Sequence, residues 1–261
     1  LKAALAAVCL IAAGAFFMGC SSPAGGGFTP KYAVGDIVLN DGTKVAYSVA
    51  KDYADDSQEL KDLKKNAVAV IFRADTESAP ALGVGIKHET NGLAWCIKDA
   101  AGYETKFTDT LSRPDKGTEK GSFTFKNSPN TDGSKNLAKI VRVLMKAGKN
   151  DTNLLADKDL NVTLLEKAYG MLPNKYYQDF RTNYPAFEFA YYYGKNAGHN
   201  ITIGSVFENG WYLPSLSELN DIYQANKTGN VIENALGATG GNKFEGSKYW
   251  SSSQRASIDN G

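Results

Sequence analysis

The chain has 261 residues, of which 29 are basic and 28 acidic, so its formal net charge at pH 7 is +1. This even balance excludes the large basic surface on which nucleic-acid binding depends, and the length fits one globular domain that carries an insertion.

The first element is an uncharged apolar run at residues 3–18, which is shorter than the ~20 residues that span a bilayer. Gly19 and Cys20 follow it. We interpret residues 1–19 as a lipoprotein signal peptide and Cys20 as the site of lipid attachment, which predicts a protein anchored to the outer membrane, at the cell surface. Two alternatives remain open, a plain leader that is cleaved elsewhere and a short membrane anchor.

Three cysteines occur in the chain, at positions 9, 20 and 96. If Cys9 leaves with the leader and Cys20 carries lipid, no partner remains for an intrachain disulfide. We interpret Cys96, which lies in an apolar segment, as a small buried hydrophobic residue rather than a nucleophile.

Residues 20–31 are rich in Gly, Ser and Pro and predict a flexible tether, after which the domain begins near Tyr32. Residues 32–39 and 43–49 are predicted to be extended and joined by a turn at Asp41-Gly42. A helix with Leu60 and Leu63 on its apolar face is then predicted within 51–66. The apolar run 67–72 predicts a buried strand, and 82–86 and 93–97 predict two further short strands.

Residues 113–181 are predicted to form a partly helical insertion, in which Ser134 caps a helix that ends near Gly148. Within it, residues 157–161 copy the first half of a calcium-binding loop. Val162 replaces the required glycine and Ala168 the bidentate glutamate, so a solvated acidic turn is the better interpretation.

After Pro185, residues 187–198 predict a helix with an aromatic stripe in the core. Neither histidine, His88 or His199, has a Cys or His neighbour at metal-ligand spacing, and both are interpreted as surface or turn residues. No Gly-Xaa-Ser-Xaa-Gly elbow is present, and we predict neither catalytic residues nor a cofactor or metal.

The strongest local signal lies in residues 210–254. Pro214 ends a predicted buried strand that contains Trp211, and Ser215 with Glu218 predicts a capping box at the start of a helix. Asn230 is predicted to cap a second helix that ends at Gly237. Residues 249–253, Tyr-Trp-Ser-Ser-Ser, predict a second strand.

The pattern Trp-Xaa-Leu-Pro-Ser-Xaa-Xaa-Glu-Leu, followed by Tyr-Trp-Ser-Ser-Ser, resembles bacterial C-type-lectin-fold domains of the formylglycine-generating-enzyme-like group. Within that group it is most similar to the retroelement-diversified variable proteins of the treponemal type. The resemblance covers 32–112 and 183–254. It implies an α+β C-type-lectin-like domain over 32–261, with a small antiparallel sheet and two packed helices.

The resemblance also implies roles for individual residues. The structural positions are Trp211, Pro214, Ser215, Glu218 and Trp250. The implied ligand-binding face comprises Gln254, Arg255, Ser257, Asp259 and Asn260, with a protein or other surface ligand of unknown identity as the partner. A formylglycine-generating-type enzyme and a structural envelope lipoprotein are the alternatives. The enzymes of the group use paired cysteines near their C-terminal strands, and no cysteine follows Cys96 here.

The resemblance further implies that the domain is truncated at its C-terminus and that its last strands follow Gly261. We therefore expect the strand at 249–253 to leave an open sheet edge and Trp250 to be incompletely covered.

Overall fold

The computed structural model describes residues 5–7, 10–12, 28–98, 111–112, 115–116, 123–124, 132–136, 182–244 and 249–255. Most of the predicted insertion, including the calcium-loop-like residues 157–161, lies outside the described residues. So do three residues of the predicted ligand-binding face, Ser257, Asp259 and Asn260.

The described elements are short strands and helices. The strands are β1 Leu5–Ala7, β2 Leu10–Ala12, β3 Ile37–Leu39, β4 Lys44–Val45, β5 Ala67–Arg73, β6 Leu82–Gly85, β7 Glu89–Leu93, β8 Leu111–Ser112, β9 Asp115–Lys116, β10 Phe123–Thr124 and β11 Gln254–Arg255. The helices are α1 Tyr47–Ala50, α2 Gln58–Asn66, α3 Pro185–Tyr191, α4 Leu216–Lys227 and α5 Val231–Ala238, with 3₁₀ turns at Tyr193–Lys195 and Ala197–His199.

The fold is mixed α+β, as predicted, and is built on an antiparallel sheet with the strand order β2-β6-β5-β3-β4. The central strand β5 is buried from Ala67 to Phe72, which confirms the strand predicted at 67–72. Both α4 and α5 pack on β5, and their residues Ile222, Ile232 and Leu236 enter one apolar cluster with residues of the sheet. A continuous apolar run marks a strand that is covered on both faces.

The first hairpin is confirmed at its turn and corrected at its second strand. Gly42 has φ +80°, and Asp41 accepts hydrogen bonds from the Thr43 backbone N–H (2.9 Å) and hydroxyl (2.6 Å). The predicted strand at 43–49 ends at Val45, because Tyr47–Ala50 forms α1 instead. Ala50 is buried and Val49 is 53% exposed. The alternation of apolar and polar residues that we interpreted as a strand therefore belongs to one turn of helix.

The predicted helix within 51–66 is confirmed as α2. The Ser57 hydroxyl accepts a hydrogen bond from the Leu60 N–H at 3.1 Å and so caps the first turn. Leu60 and Leu63 are buried, as their helical spacing indicates.

Three predicted strands are wrong. The strand predicted at 93–97 lies earlier, at β7, whose sequence Glu-Thr-Asn-Gly-Leu has no apolar alternation that could mark it. Residues 210–213 and 249–253 are extended segments with single bridge residues at Tyr212 and Tyr249. Residues 249–253 therefore do not form the open sheet edge that we expected.

The helices near the C-terminus differ from prediction at their ends. The helix predicted at 187–198 spans Pro185–Tyr191 and continues as 3₁₀ turns to His199. Asn230 precedes α5 but makes no capping bond. Asn226 caps it instead, because its side-chain oxygen accepts from the Ile232 and Glu233 N–H groups (3.1 and 3.0 Å). The helix continues past Gly237 to Ala238.

Among the described residues, no helix is both long enough and apolar enough to cross a membrane.

Gly85 of β6 gives a test of how the 3₁₀ turn after α3 packs on the sheet. A methyl group at Gly85 would lie 2.6 Å from the Tyr193 ring, which is fully buried and whose hydroxyl accepts from the Lys87 N–H at 2.8 Å. We expect Gly85→Ala to lower the free energy of unfolding by ~1–3 kcal/mol in urea titrations, because the ring has no room to move.

The matched control is Gly237→Ala, whose methyl group would lie 2.7 Å from Lys243 Cε on an exposed side chain that can turn away. Because alanine favours a helix by ~1 kcal/mol over glycine, this variant should be unchanged or more stable. An equal loss of stability in both variants would contradict the packing of Tyr193 against β6.

Candidate functional site

The candidate site is the segment Tyr249–Arg255, which begins the predicted ligand-binding face. Gln254 and Arg255 form β11 and pair in parallel with Leu111 and Ser112 of β8. Two of the five predicted binding residues therefore lie side by side on one short strand. The structure does not describe the positions of the other three, Ser257, Asp259 and Asn260.

Two tryptophans attach the start of this segment to the last residue of β7 and to the chain that follows it. The Trp250 indole N–H donates to the Leu93 carbonyl at 2.5 Å, and the Trp95 indole N–H donates to the Ser251 carbonyl at 2.9 Å. The Trp95 ring in turn packs edge-on against Phe187 of α3, with centroids 4.9 Å apart. Trp250 is half-buried, consistent with the expected incomplete cover of its side chain.

The serines of the Tyr-Trp-Ser-Ser-Ser motif attach the end of the segment. Ser252 is fully buried, its N–H donates to the Pro214 carbonyl (2.6 Å), and its hydroxyl accepts from the Asn136 side-chain amide (2.8 Å). The Ser253 hydroxyl accepts from the Leu216 N–H at 3.0 Å. That N–H lies in the first turn of α4 and has no partner within the helix. The two sequence stretches that carry the resemblance are therefore bonded to each other.

Below these contacts lies the Glu218 carboxylate, which is 2% exposed. One of its oxygens accepts from the Ser215 N–H (2.7 Å) and the Gly133 N–H (3.0 Å), and the other accepts from the Tyr212 hydroxyl (3.0 Å). The Ser215 hydroxyl accepts from the Glu218 N–H at 3.2 Å, so the predicted capping box is confirmed. One carboxylate thus joins the segment before α4, the start of α4 and the turn at 132–136.

The turn at 132–136 is a site component that the sequence did not reveal. A side chain at Gly133 would collide with the Leu213 carbonyl, so glycine allows the close approach that brings its N–H to Glu218. The predicted cap residue Ser134 lies inside the helical turn at 133–136. Asp132 caps it instead and accepts from the Ser134 N–H at 3.0 Å and hydroxyl at 2.5 Å. The one available signal was Asp132-Gly133, a common turn dipeptide.

The remaining residues to which the resemblance assigns a structural role, Trp211 and Pro214, are buried. Trp211 is fully buried and its indole N–H donates to the Phe207 carbonyl at 2.7 Å, while Leu213, Pro214 and Ser215 are buried beside it. Trp211 packs on Tyr193, with ring centroids 4.3 Å apart. This aromatic layer supports the backbone that carries the Pro214 carbonyl to Ser252.

Burial sets the protonation of the site. The pKa of Glu218 is raised from 4.5 to about 7, because burial and, to a smaller extent, the charge of Asp132 raise it more than the hydrogen bonds from Ser215, Gly133 and Tyr212 lower it. The pKa of the Tyr212 phenol is held well above its ordinary value, first by burial and then by the charge of Glu218. Tyr212 is therefore a neutral donor, and Glu218 is the group in this network that titrates near neutral pH.

The other reactive side chains are in structural environments. Burial raises the pKa of the half-buried Cys96 thiol, which keeps the protonated form at neutral pH. His199 lies in the 3₁₀ turn Ala197–His199, in agreement with its interpretation as a surface or turn residue, and its side chain is buried. It stacks on Tyr193 with centroids 4.1 Å apart, and its Nδ1 lies 2.9 Å from the Tyr193 carbonyl. Burial lowers its pKa, so the neutral ring is favoured. Among the described residues, no three His, Cys, Asp or Glu side chains are grouped to hold a metal ion.

Comparison with known proteins gives no relative. No protein-family model matches the chain, and neither a curated protein sequence nor a solved structure is significantly similar to it.

The Glu218 network predicts a pH dependence of stability. The carboxyl has a pKa of about 7 in the folded protein against an ordinary value of 4.5. The folded protein therefore binds the proton more tightly, and the resulting stabilisation is complete below pH 4.5 and is lost as the pH rises through about 7. Glu218→Gln cannot titrate, yet it keeps an oxygen to accept from the two backbone N–H groups.

We expect the wild type to lose about 2–3 kcal/mol more unfolding free energy than Glu218→Gln between pH 5 and pH 8, measured by urea titration. The difference between the two proteins cancels the titration of His199 and of the other groups that the substitution leaves in place. Parallel pH profiles for the two proteins would contradict the raised pKa of Glu218.

Proposed function

We propose that this chain is a lipid-anchored surface protein that binds a ligand, a protein or another surface molecule, through a face that begins at Gln254. The observation that carries the proposal is the bonding of Trp250, Ser252 and Ser253, whose polar groups all join this segment to the domain. A segment held in this way can present variable residues beyond it on a fixed frame. We further propose that the domain has the C-type-lectin-like fold, which the bonds between the two signature stretches support.

The start of the domain supports a tethered arrangement. The backbone N–H groups of Lys31 and Tyr32 donate to the two oxygens of Asp75 at 2.9 and 2.7 Å, and Tyr32 is 1% exposed. The chain is therefore fixed at the residue where we predict the tether to end. In this proposal Cys20 carries the lipid, and residues 21–31 separate the domain from the membrane surface.

We propose binding rather than catalysis because the side chains whose pKa values are strongly raised make structural hydrogen bonds. Glu218 and Tyr212 are buried beneath the serine contacts and bond to each other and to the backbone. Cys96 is the free cysteine among the described residues, and its raised pKa disfavours the thiolate that a nucleophile requires. The structure gives no specific reason to prefer an enzyme.

The proposal predicts where natural copies of the gene differ. Deep sequencing of the gene from many isolates should find amino-acid changes concentrated at Gln254, Arg255, Ser257, Asp259 and Asn260. Trp250, Ser252 and Ser253 should stay constant, because each supplies a hydrogen bond that holds the face. Changes spread evenly along the chain, or as frequent at Ser252 as at Gln254, would contradict a variable binding face.

The lipid anchor is tested by expressing the wild type and Cys20→Ser in the protein's own cells and measuring how each partitions in a cloud-point detergent. Wild type should enter the detergent phase and Cys20→Ser the aqueous phase, because several acyl chains on one residue give stable membrane attachment. Partition of Cys20→Ser with the detergent would contradict the lipid site. Cys96→Ser is the matched control, and it should partition as the wild type does.

A further inference from the structure

The two edges of the main sheet differ in how they are protected. On one side, β4 is only two residues long and carries Lys44, an exposed side chain that pairs with Asp36 at 2.6 Å. On the other side the edge strand β2 belongs to the predicted leader, and the next strand is β6, with the uncharged sequence Leu-Gly-Val-Gly, whose four residues are all buried in the structure that includes β2. Short, charged strands resist pairing with another chain, whereas an uncharged apolar edge invites it. The β6 edge therefore needs an occupant.

Both faces beside this edge are apolar. Leu82 and Val84 belong to the core cluster with Ile37 and Phe72. On the opposite face, the Tyr193 ring covers Gly85 so closely that a methyl group there would lie 2.6 Å from it. A charged side chain brought against such an edge would lose its hydration. The edge is suited to an uncharged apolar strand.

In the structure the outer edge of β6 is covered by the leader. Leu10, Ile11 and Ala12 pair antiparallel with Val84, Gly83 and Leu82. The preceding residues Leu5–Ala7 pair antiparallel with β7, the next strand along the chain. Among the described residues, only β5 and β2 pair with β6. One short apolar segment therefore runs along two consecutive strands.

We propose that the outer edge of Leu82–Gly85 is a strand-acceptor site, which after removal of residues 1–19 takes an extended, uncharged apolar segment from a different polypeptide. The inference rests on the proposed function, because it requires that the leader be cleaved before Cys20. The incoming segment pairs antiparallel, in the register that Leu10–Ala12 defines. Backbone hydrogen bonds hold it, and the apolar surroundings select its side chains.

The test uses the processed chain, residues 20–261 with Cys20→Ser, and a fluorescent peptide of residues 3–13 with Cys9→Ser and lysines added at both ends for solubility. Binding is measured by anisotropy. The control peptide also carries Leu10→Pro and Ile11→Pro, since proline at both positions removes whichever N–H pairs with β6. We expect saturable 1:1 binding of the parent peptide and at least tenfold weaker binding of the control.

Backbone NMR of the same samples should show that the parent peptide shifts and protects the amides of Leu82–Gly85. Equal binding of the two peptides, or no binding to a chain that still unfolds cooperatively in urea, overturns the proposal. Sedimentation tests whether a second copy of the chain occupies the edge instead. A dimer that the parent peptide dissociates would assign the edge to a second copy and overturn the assignment to a different polypeptide.

Mass spectrometry of the wild-type protein from its own cells separates the two levels of the argument. Retention of residues 1–19 contradicts the proposed anchor, whereas a failure of the processed chain to bind the parent peptide contradicts only the strand-acceptor site.

Discussion

A single buried carboxylate connects the parts of this domain that are far apart in sequence. Glu218 accepts hydrogen bonds from Tyr212, Ser215 and Gly133, and each donor belongs to a different local structure. Removing one partner of a buried charged hydrogen bond costs about 1–3 kcal/mol, more than a typical surface contact contributes. The conformation of residues 132–136 and the start of α4 therefore depend on the same side chain.

The C-terminal segment depends on that conformation in turn. Asn136 reaches Ser252 only if the turn at 132–136 is held in place, and Leu216 reaches Ser253 only if α4 begins at Ser215. The two indole bonds, from Trp250 to Leu93 and from Trp95 to Ser251, fix the other end. The apolar cluster around β5 forms a hydrophobic core, while this polar network determines where the segment that leads to Gln254 lies. The apolar core and the position of the C-terminal segment thus depend on different residues.

Local signals in the sequence predicted the elements that interactions between neighbouring residues stabilise. The capping box at Ser215 and Glu218, the apolar run of β5 and the Asp41-Gly42 turn each follow from a few neighbouring residues. The strand β7 was missed because its sequence, Glu-Thr-Asn-Gly-Leu, carries no strand pattern. Its pairing with another strand makes it a strand. Tyr47–Ala50 was taken for a strand because over so few residues alternation and a helical turn look alike. At Asn230 the type of residue favoured a cap, but its left-handed conformation leaves capping to Asn226.

The motif residues of the candidate site could be predicted from the sequence, but the hydrogen bonds that join them to the rest of the domain could not. The serines of the Tyr-Trp-Ser-Ser-Ser motif could be recognised, but their partners Asn136, Pro214 and Leu216 lie 37 to 116 residues away, a separation at which no periodicity operates. The third bond to Glu218 was equally hidden, because Gly133 contributes only a backbone N–H.

The most direct test of this account is amide hydrogen exchange of Gly133, Ser215, Leu216 and Ser252, monitored by NMR in the wild type and in Glu218→Ala, which removes both acceptor oxygens. If the carboxylate holds the network, all four amides are protected in the wild type, and Gly133, Ser215 and Ser252 lose protection in Glu218→Ala while the amides of β5 do not change. Exchange of Gly133 and Ser252 at the rates of unprotected surface amides in the wild type would contradict the account.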